Sequence, residues 1–138
     1  MTEYEAILQK YWGYPSFRPL QKEIIQWVCQ GKDALGLLPT GGGKSIIFQV
    51  ASLSKPGICI VITPLIALMK DQVDNLKKRG ILSAAVYTGM SRIEIQTVLD
   101  NCVLGNYKFL YISPERLKTE LFLSFVTQMK VNLLVVDE

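Results

Sequence analysis

The chain has 138 residues, enough for one domain of ordinary size, and is 49% hydrophobic and 20% charged, a balance that excludes disordered, collagen-like and coiled-coil proteins. Fifteen Lys and Arg against 12 Asp and Glu leave a net charge of +3, which permits contact with nucleic acid without requiring it. Histidine is absent, so Ser-His-Asp, Cys-His and His-zinc chemistries cannot run on this chain alone.

The N-terminus, Met1-Thr2-Glu3-Tyr4-Glu5, is acidic where a secretory leader is basic and then apolar. No apolar run reaches the ~18 residues of a membrane span. The expectation is a cytoplasmic protein with no membrane partner. Cys29, Cys59 and Cys102 sit apart in apolar settings and read as reduced core residues.

Taken in chain order, Arg18 to Gln30 carries Leu20, Ile24, Trp27 and Val28 at the spacing of an amphipathic helix, stopped by Gly31. Asp33 to Leu38 reads as a short strand broken by Pro39, followed by a glycine cluster and a helix over Lys44 to Leu53. Ile58 to Ile62 is continuously apolar and rich in β-branched residues, the pattern of a strand covered on both faces in a parallel sheet. Leu65, Leu68, Met69, Val73 and Leu76 predict a helix that ends in Lys77-Lys78-Arg79-Gly80. Next come a strand over Ser83 to Tyr87, a helix over Ser91 to Cys102 and a strand over Phe109 to Ile112. A helix starting at Ser113-Pro114-Glu115 and a buried strand over Val131 to Val136 complete the series. This alternation predicts a doubly wound α/β sheet with right-handed crossovers.

Pro39-Thr40-Gly41-Gly42-Gly43-Lys44-Ser45 lies between a predicted strand and a predicted helix, where a phosphate-cradling loop belongs. Glycines let backbone N–H groups turn toward phosphate oxygens, and the helix start adds its positive end. Lys44 is placed to reach the β- and γ-phosphates and Ser45 to ligate Mg²⁺. The strict pattern has Gly where this chain has Leu38. The bland alternative is a flexible glycine turn. Asp137-Glu138 follows Leu133 to Val136, so both carboxylates emerge at the carboxyl edge of the sheet. There Asp137 suits Mg²⁺ and Glu138 an attacking water, or the pair is a solvated acidic tail. The Gln21 amide matches the donor and acceptor of adenine, with Tyr14 to stack and Arg18 to add a planar cation. Each of these three also suits ordinary surface or helix capping.

Together these residues resemble a known family. Trp12-Gly13-Tyr14-Pro15-Ser16-Phe17-Arg18-Pro19-Leu20-Gln21 is followed by Leu38 to Ser45, and then by Thr63-Pro64-Leu65-Ile66-Ala67-Leu68-Met69-Lys70-Asp71-Gln72-Val73. Tyr111-Ile112-Ser113-Pro114-Glu115-Arg116-Leu117 and Val135-Val136-Asp137-Glu138 complete the ordered set. It resembles the RecQ family of superfamily 2 DNA helicases over about residues 8 to 138. The resemblance implies a three-layer, RecA-like P-loop NTPase domain with a mostly parallel sheet, incomplete at its C-terminus, in which residues 1–31 form adenine-recognition helices. It implies ATP and Mg²⁺ as cofactors, with Tyr14, Arg18 and Gln21 at adenine and Thr40, Gly41, Gly42, Gly43, Lys44 and Ser45 at the phosphates. Ser45 and Asp137 are then the metal residues, and Lys44, Asp137 and Glu138 the catalytic ones.

The same resemblance places Thr63, Pro64, Leu65 and Lys70 along the backbone of single-stranded DNA, with Ser113, Glu115 and Arg116 as further candidates for that groove. Thr63 and Lys70 are expected to face solvent. Single-stranded and duplex DNA and a second RecA-like domain are the implied partners, and 3′-to-5′ unwinding coupled to ATP hydrolysis is the implied activity. The family continues past Asp-Glu with Ala-His, an aromatic-rich loop, a Ser-Ala-Thr-like motif and a second motor domain carrying an arginine finger. Residues 1–138 alone are therefore expected to have little or no ATPase. The strand bearing the Ser-Ala-Thr-like motif lies between the P-loop and Asp-Glu strands in this fold, so a gap is expected there. The competing readings are an RNA-directed superfamily 2 helicase and a non-catalytic nucleotide- or DNA-binding module.

Overall fold

The computed structural model describes residues 2–33 and 43–137. The chain divides into two compact units, Met1–Lys55 and Pro56–Glu138.

In the first unit, helix α1 (Glu3–Trp12) is capped by Thr2, whose hydroxyl accepts from the Glu5 N–H at 3.4 Å. Helix α2 (Gln21–Cys29) begins three residues after the expected start, because Leu20 takes a left-handed conformation with φ 73°, which no α-helix passes through. The shift changes the buried face. Gln21 and Ile25 are the buried residues of α2, while Leu20 and Trp27 stay about half exposed. Trp27 closes the turn after the helix: its indole N–H donates to the Asp33 carbonyl at 2.7 Å, and the Lys32 ammonium sits 4.1 Å from the ring centroid. A salt bridge between Lys22 and Glu5 ties α2 to α1 and holds the Glu5 carboxyl below its usual range. Helix α3 (Lys44–Leu53) has the expected bounds, and its run from Ile47 through Ser52 is buried without a break, as in a helix enclosed on all sides. The strand expected over Asp33 to Leu38 lies, after its first residue, outside the described residues.

The second unit is a parallel four-stranded sheet of order β2-β3-β1-β4, formed by β1 (Ile58–Ile62), β2 (Ser83–Val86), β3 (Phe109–Ile112) and β4 (Val131–Val136). Ile60, Leu110 and Ile112 look toward one face, where Ile95 and Leu99 of α5 (Arg92–Val103) and Phe122 of α6 (Glu120–Val126) complete one core. The alternate residue Tyr111 looks toward the other face and meets α4 (Ile66–Lys78). The unit is therefore a three-layer α/β/α sandwich. Helix α5 opens with a capping box between Ser91 and Glu94.

Two expectations need correction. The helix expected from Ser113 onward is a short 3₁₀ turn over Pro114–Lys118, then α6. Thr119 separates them: it is extended, donates its hydroxyl to the Arg116 carbonyl at 2.8 Å and accepts from the Phe122 N–H at 3.3 Å. The last strand is not buried. Val131, Leu134 and Val136 are exposed, because β4 pairs with β1 and, among the described residues, has no strand on its other side. The gap expected between the P-loop strand and this one involves residues outside the described ones.

Candidate functional site

The candidate residues lie in both units. In the first, Gly43 precedes α3 with φ 79° and ψ 33°, a left-handed conformation that favours glycine. Gln21 crosses to it. The Gln21 amide nitrogen donates to the Gly43 carbonyl at 3.1 Å, and its amide oxygen accepts from the Arg18 N–H at 2.8 Å. A Cβ on Gly43 would meet that amide nitrogen at 2.3 Å. Gln21 is thus 2% exposed, with both ends of its amide engaged inside the chain. Lys44 at the start of α3 is exposed and Ser45 half-buried, and among the described residues no side chain caps the first turn of this helix. Its N–H groups point toward the loop before it. Tyr14 and Arg18 are exposed. Thr40, Gly41 and Gly42, together with Glu138, lie outside the described residues.

In the second unit, the sheet lines its candidates up through backbone bonds made just past the strand ends. The Asp137 N–H donates to the Ile62 carbonyl at 2.9 Å, the Thr63 N–H to Ile112 at 3.1 Å and the Ser113 N–H to Val86 at 3.1 Å. Asp137, Thr63 and Ser113 therefore occupy successive places along the carboxyl edge. That edge is where open α/β sheets take their ligands.

The side chains do not all behave as expected. Thr63 is 1% exposed instead of facing solvent, because its hydroxyl folds back to accept from the Leu65 N–H at 3.4 Å and so shapes the loop. Pro64, Leu65 and Lys70 are exposed. The Lys70 ammonium stands 5.1 Å from the centroid of Tyr87. Glu115 accepts from the Thr88 hydroxyl at 2.7 Å, and that bond lowers its pKa below the usual carboxylate value. Arg116 lines, with Arg92 and Phe122, a cavity of about 420 Å³ between the starts of α5 and α6.

Tyr87, Thr88 and Gln72 are the residues that sequence reasoning missed at this edge. A signal existed for Gln72, the polar interruption in the apolar stripe between Met69 and Leu76. For Tyr87 and Thr88 there was only their position after a predicted strand. Cys59 and Cys102 are buried reduced cysteines, as expected, whereas Cys29 is only half-buried; burial pushes the Cys102 thiol up to about 12. Among the described residues no helix is long and apolar enough to cross a membrane, and none of their His, Cys, Asp and Glu side chains form a metal-binding group of three.

Comparison with known proteins shows the family. The chain is 40% identical over 139 residues to the "Probable ATP-dependent DNA helicase RecS" of Bacillus subtilis, a match that covers 100% of this chain and 28% of the relative. It is 42% identical over 135 residues to the "ATP-dependent DNA helicase RecQ" of the same organism, covering 97% of this chain and 23% of the relative. The chain thus spans about a quarter of the length of these curated relatives. A crystal structure of a "hypothetical ATP-dependent RNA helicase from Sulfolobus tokodaii" superposes with a TM-score of 0.74 over 100% of this chain and 41% of that one, at 21% identity, which establishes a shared fold. The DEAD/DEAH box helicase family model matches residues 18–138. With that match spanning both units, the chain belongs to the DEAD/DEAH box helicase family.

Proposed function

We propose that this chain is the nucleotide-binding part of the first RecA-like motor domain, residues 1–138, of a cytoplasmic RecQ-type DNA helicase that unwinds 3′ to 5′ with ATP hydrolysis. The observation that carries the reading is the 38–42% identity, over 96–100% of the chain, to RecS and RecQ proteins described as ATP-dependent DNA helicases.

Within that reading, the helices of residues 1–31 hold adenine through Tyr14 and Arg18, and through Gln21 once its amide leaves the Gly43 carbonyl and the Arg18 N–H. Thr40, Gly41, Gly42 and Gly43 cradle the phosphates and Lys44 offsets their charge. Ser45 and Asp137 offer the hard oxygen donors that Mg²⁺ takes. Bound Mg²⁺ supplies charge neutralisation at the phosphates. Glu138 orients the attacking water and accepts its proton. Pro64, Leu65 and Lys70 meet the strand backbone, on a loop whose shape Thr63 sets. Contacts of this kind follow phosphates without reading sequence. A second RecA-like domain supplies the arginine that stabilises transition-state charge, worth ~10³ to 10⁵ in rate, so residues 1–138 alone hydrolyse ATP slowly.

The test uses the full-length protein. Lys44→Ala lowers DNA-stimulated ATPase and unwinding by about 10²-fold or more; survival of both activities would sink the motor reading. Single-stranded DNA stimulates ATPase more than RNA of equal length, and a duplex with a 3′ tail is unwound ahead of one with a 5′ tail. Stronger stimulation by RNA would transfer the protein to the RNA-directed motors.

A further inference from the structure

Helix α4 packs on the sheet with Met69 and Leu76 fully buried. Apolar contact of this kind is non-directional and leaves a helix free to roll. Gln72 stands on the same stripe, three residues after Met69 and four before Leu76. The phenol of Tyr111, 1% exposed in the middle of β3, donates to the Gln72 amide oxygen at 2.5 Å. A hydrogen bond is directional where the apolar stripe is not. Gln72 lies two residues beyond Lys70, and Tyr111 lies two residues before Ser113. Their bond therefore joins the element that carries the 63–70 segment to the element that carries the 113–116 segment. Two further contacts close the circuit through the segment between them: Lys70 over Tyr87, and Thr88 to Glu115.

We infer that the Tyr111–Gln72 hydrogen bond is a positioning tie, which fixes the angle of α4 on the sheet and so sets how tightly the 63–70 segment holds single-stranded DNA. The inference deepens the DNA-motor reading and rests on it. In this proposal neither residue touches nucleotide or DNA. Both act by holding Lys70 and its loop in register with the end of β3. Replacing both partners of a buried polar pair by apolar groups of similar shape is nearly neutral for stability, so the tie is separable from the fold.

The experiment measures ATPase of the full-length protein against increasing concentrations of a 20-nucleotide oligo(dT). Tyr111→Phe and Gln72→Met each raise the oligonucleotide concentration for half-maximal stimulation about fivefold. The DNA-free rate, the KM for ATP and the maximal rate stay unchanged, and the thermal midpoint of the double variant stays at the wild-type value. The double variant is no worse than either single one, since both remove the same bond. Gln72→Glu, which keeps an acceptor oxygen for the phenol, restores wild-type dependence. If the wild type is stimulated and neither single variant shifts the half-maximal concentration, the tie is overturned while the motor reading stands. A parallel fall in DNA-free ATPase and thermal midpoint of the double variant also overturns it, by reducing the pair to ordinary packing. A wild type that oligo(dT) does not stimulate overturns both.

Discussion

The two units place their candidate residues by different means. In the second, Asp137, Thr63 and Ser113 are set by backbone rungs at the ends of parallel strands, and the strand they extend in the middle of the sheet, β1, is buried over most of its length. In the first, the Gln21 side chain of α2 reaches the Gly43 carbonyl at the start of α3. A rung of a sheet moves only if its neighbours move. A side-chain amide exchanges partners by rotating about a few single bonds. The strand-end arrangement of the second unit is the stiffer of the two, and the Gln21–Gly43 contact is a place where local rearrangement costs little.

The sharpest way to break that contrast is at Gly43. Gly43→Ala carries both the left-handed penalty and the clash with the Gln21 amide, and it destabilises the first unit by about 3 kcal/mol. Gly13→Ala serves as the control. It has φ 75° with nothing within 4 Å of an added Cβ and loses about 1 kcal/mol, so denaturant unfolding that finds the two equal would remove Gln21 from the account.

A smaller effect of opposite sign is expected at Leu20. Its φ of 73° is the one positive value outside glycine among the described residues, and its side chain is 57% exposed. Leu20→Asn stabilises by about 1 kcal/mol, because asparagine enters the left-handed region more readily. Leu20→Ala, which relieves no strain, gains nothing. Should thermal melts rank the two alike, the backbone there is not strained and the contrast between the units weakens.

The smallest effect lies at the sheet edge. The Thr88 hydroxyl lowers the Glu115 pKa. A carboxyl whose folded pKa lies below its unfolded value contributes stability above the unfolded pKa, near 4.5, and loses it as pH falls through the folded value. Thr88→Val is expected to move the Glu115 titration upward, as followed by NMR of the side-chain carboxyl, and to leave stability at pH 7 nearly unchanged. An unshifted titration would detach the 87–88 segment from the 113–116 segment.

Much of this was legible from residue order. The bounds of α3, β1, β3 and β4 follow from runs of apolar and β-branched residues, and the helix over Ile66–Lys78 follows from its stripe and basic end. Errors arose where a single backbone angle or hydroxyl decided the outcome. Leu20 turned left-handed and delayed α2, and Thr119 split one expected helix into a 3₁₀ turn and α6. Neither event leaves a periodic trace, because each is local to one residue.

The sequence by itself determined the alternation of strand and helix and the residue types able to hold triphosphate and metal, because those depend on composition and spacing along the chain, and its ordered motifs carried the resemblance to the family. Only the tertiary structure decided that Thr63 turns inward, that β4 is an exposed edge and that Gln21 reaches Gly43. It also brought Gln72 to Tyr111, 39 residues away. Burial and long-range hydrogen bonds depend on which surfaces the folded chain brings together, and no spacing along the sequence encodes them.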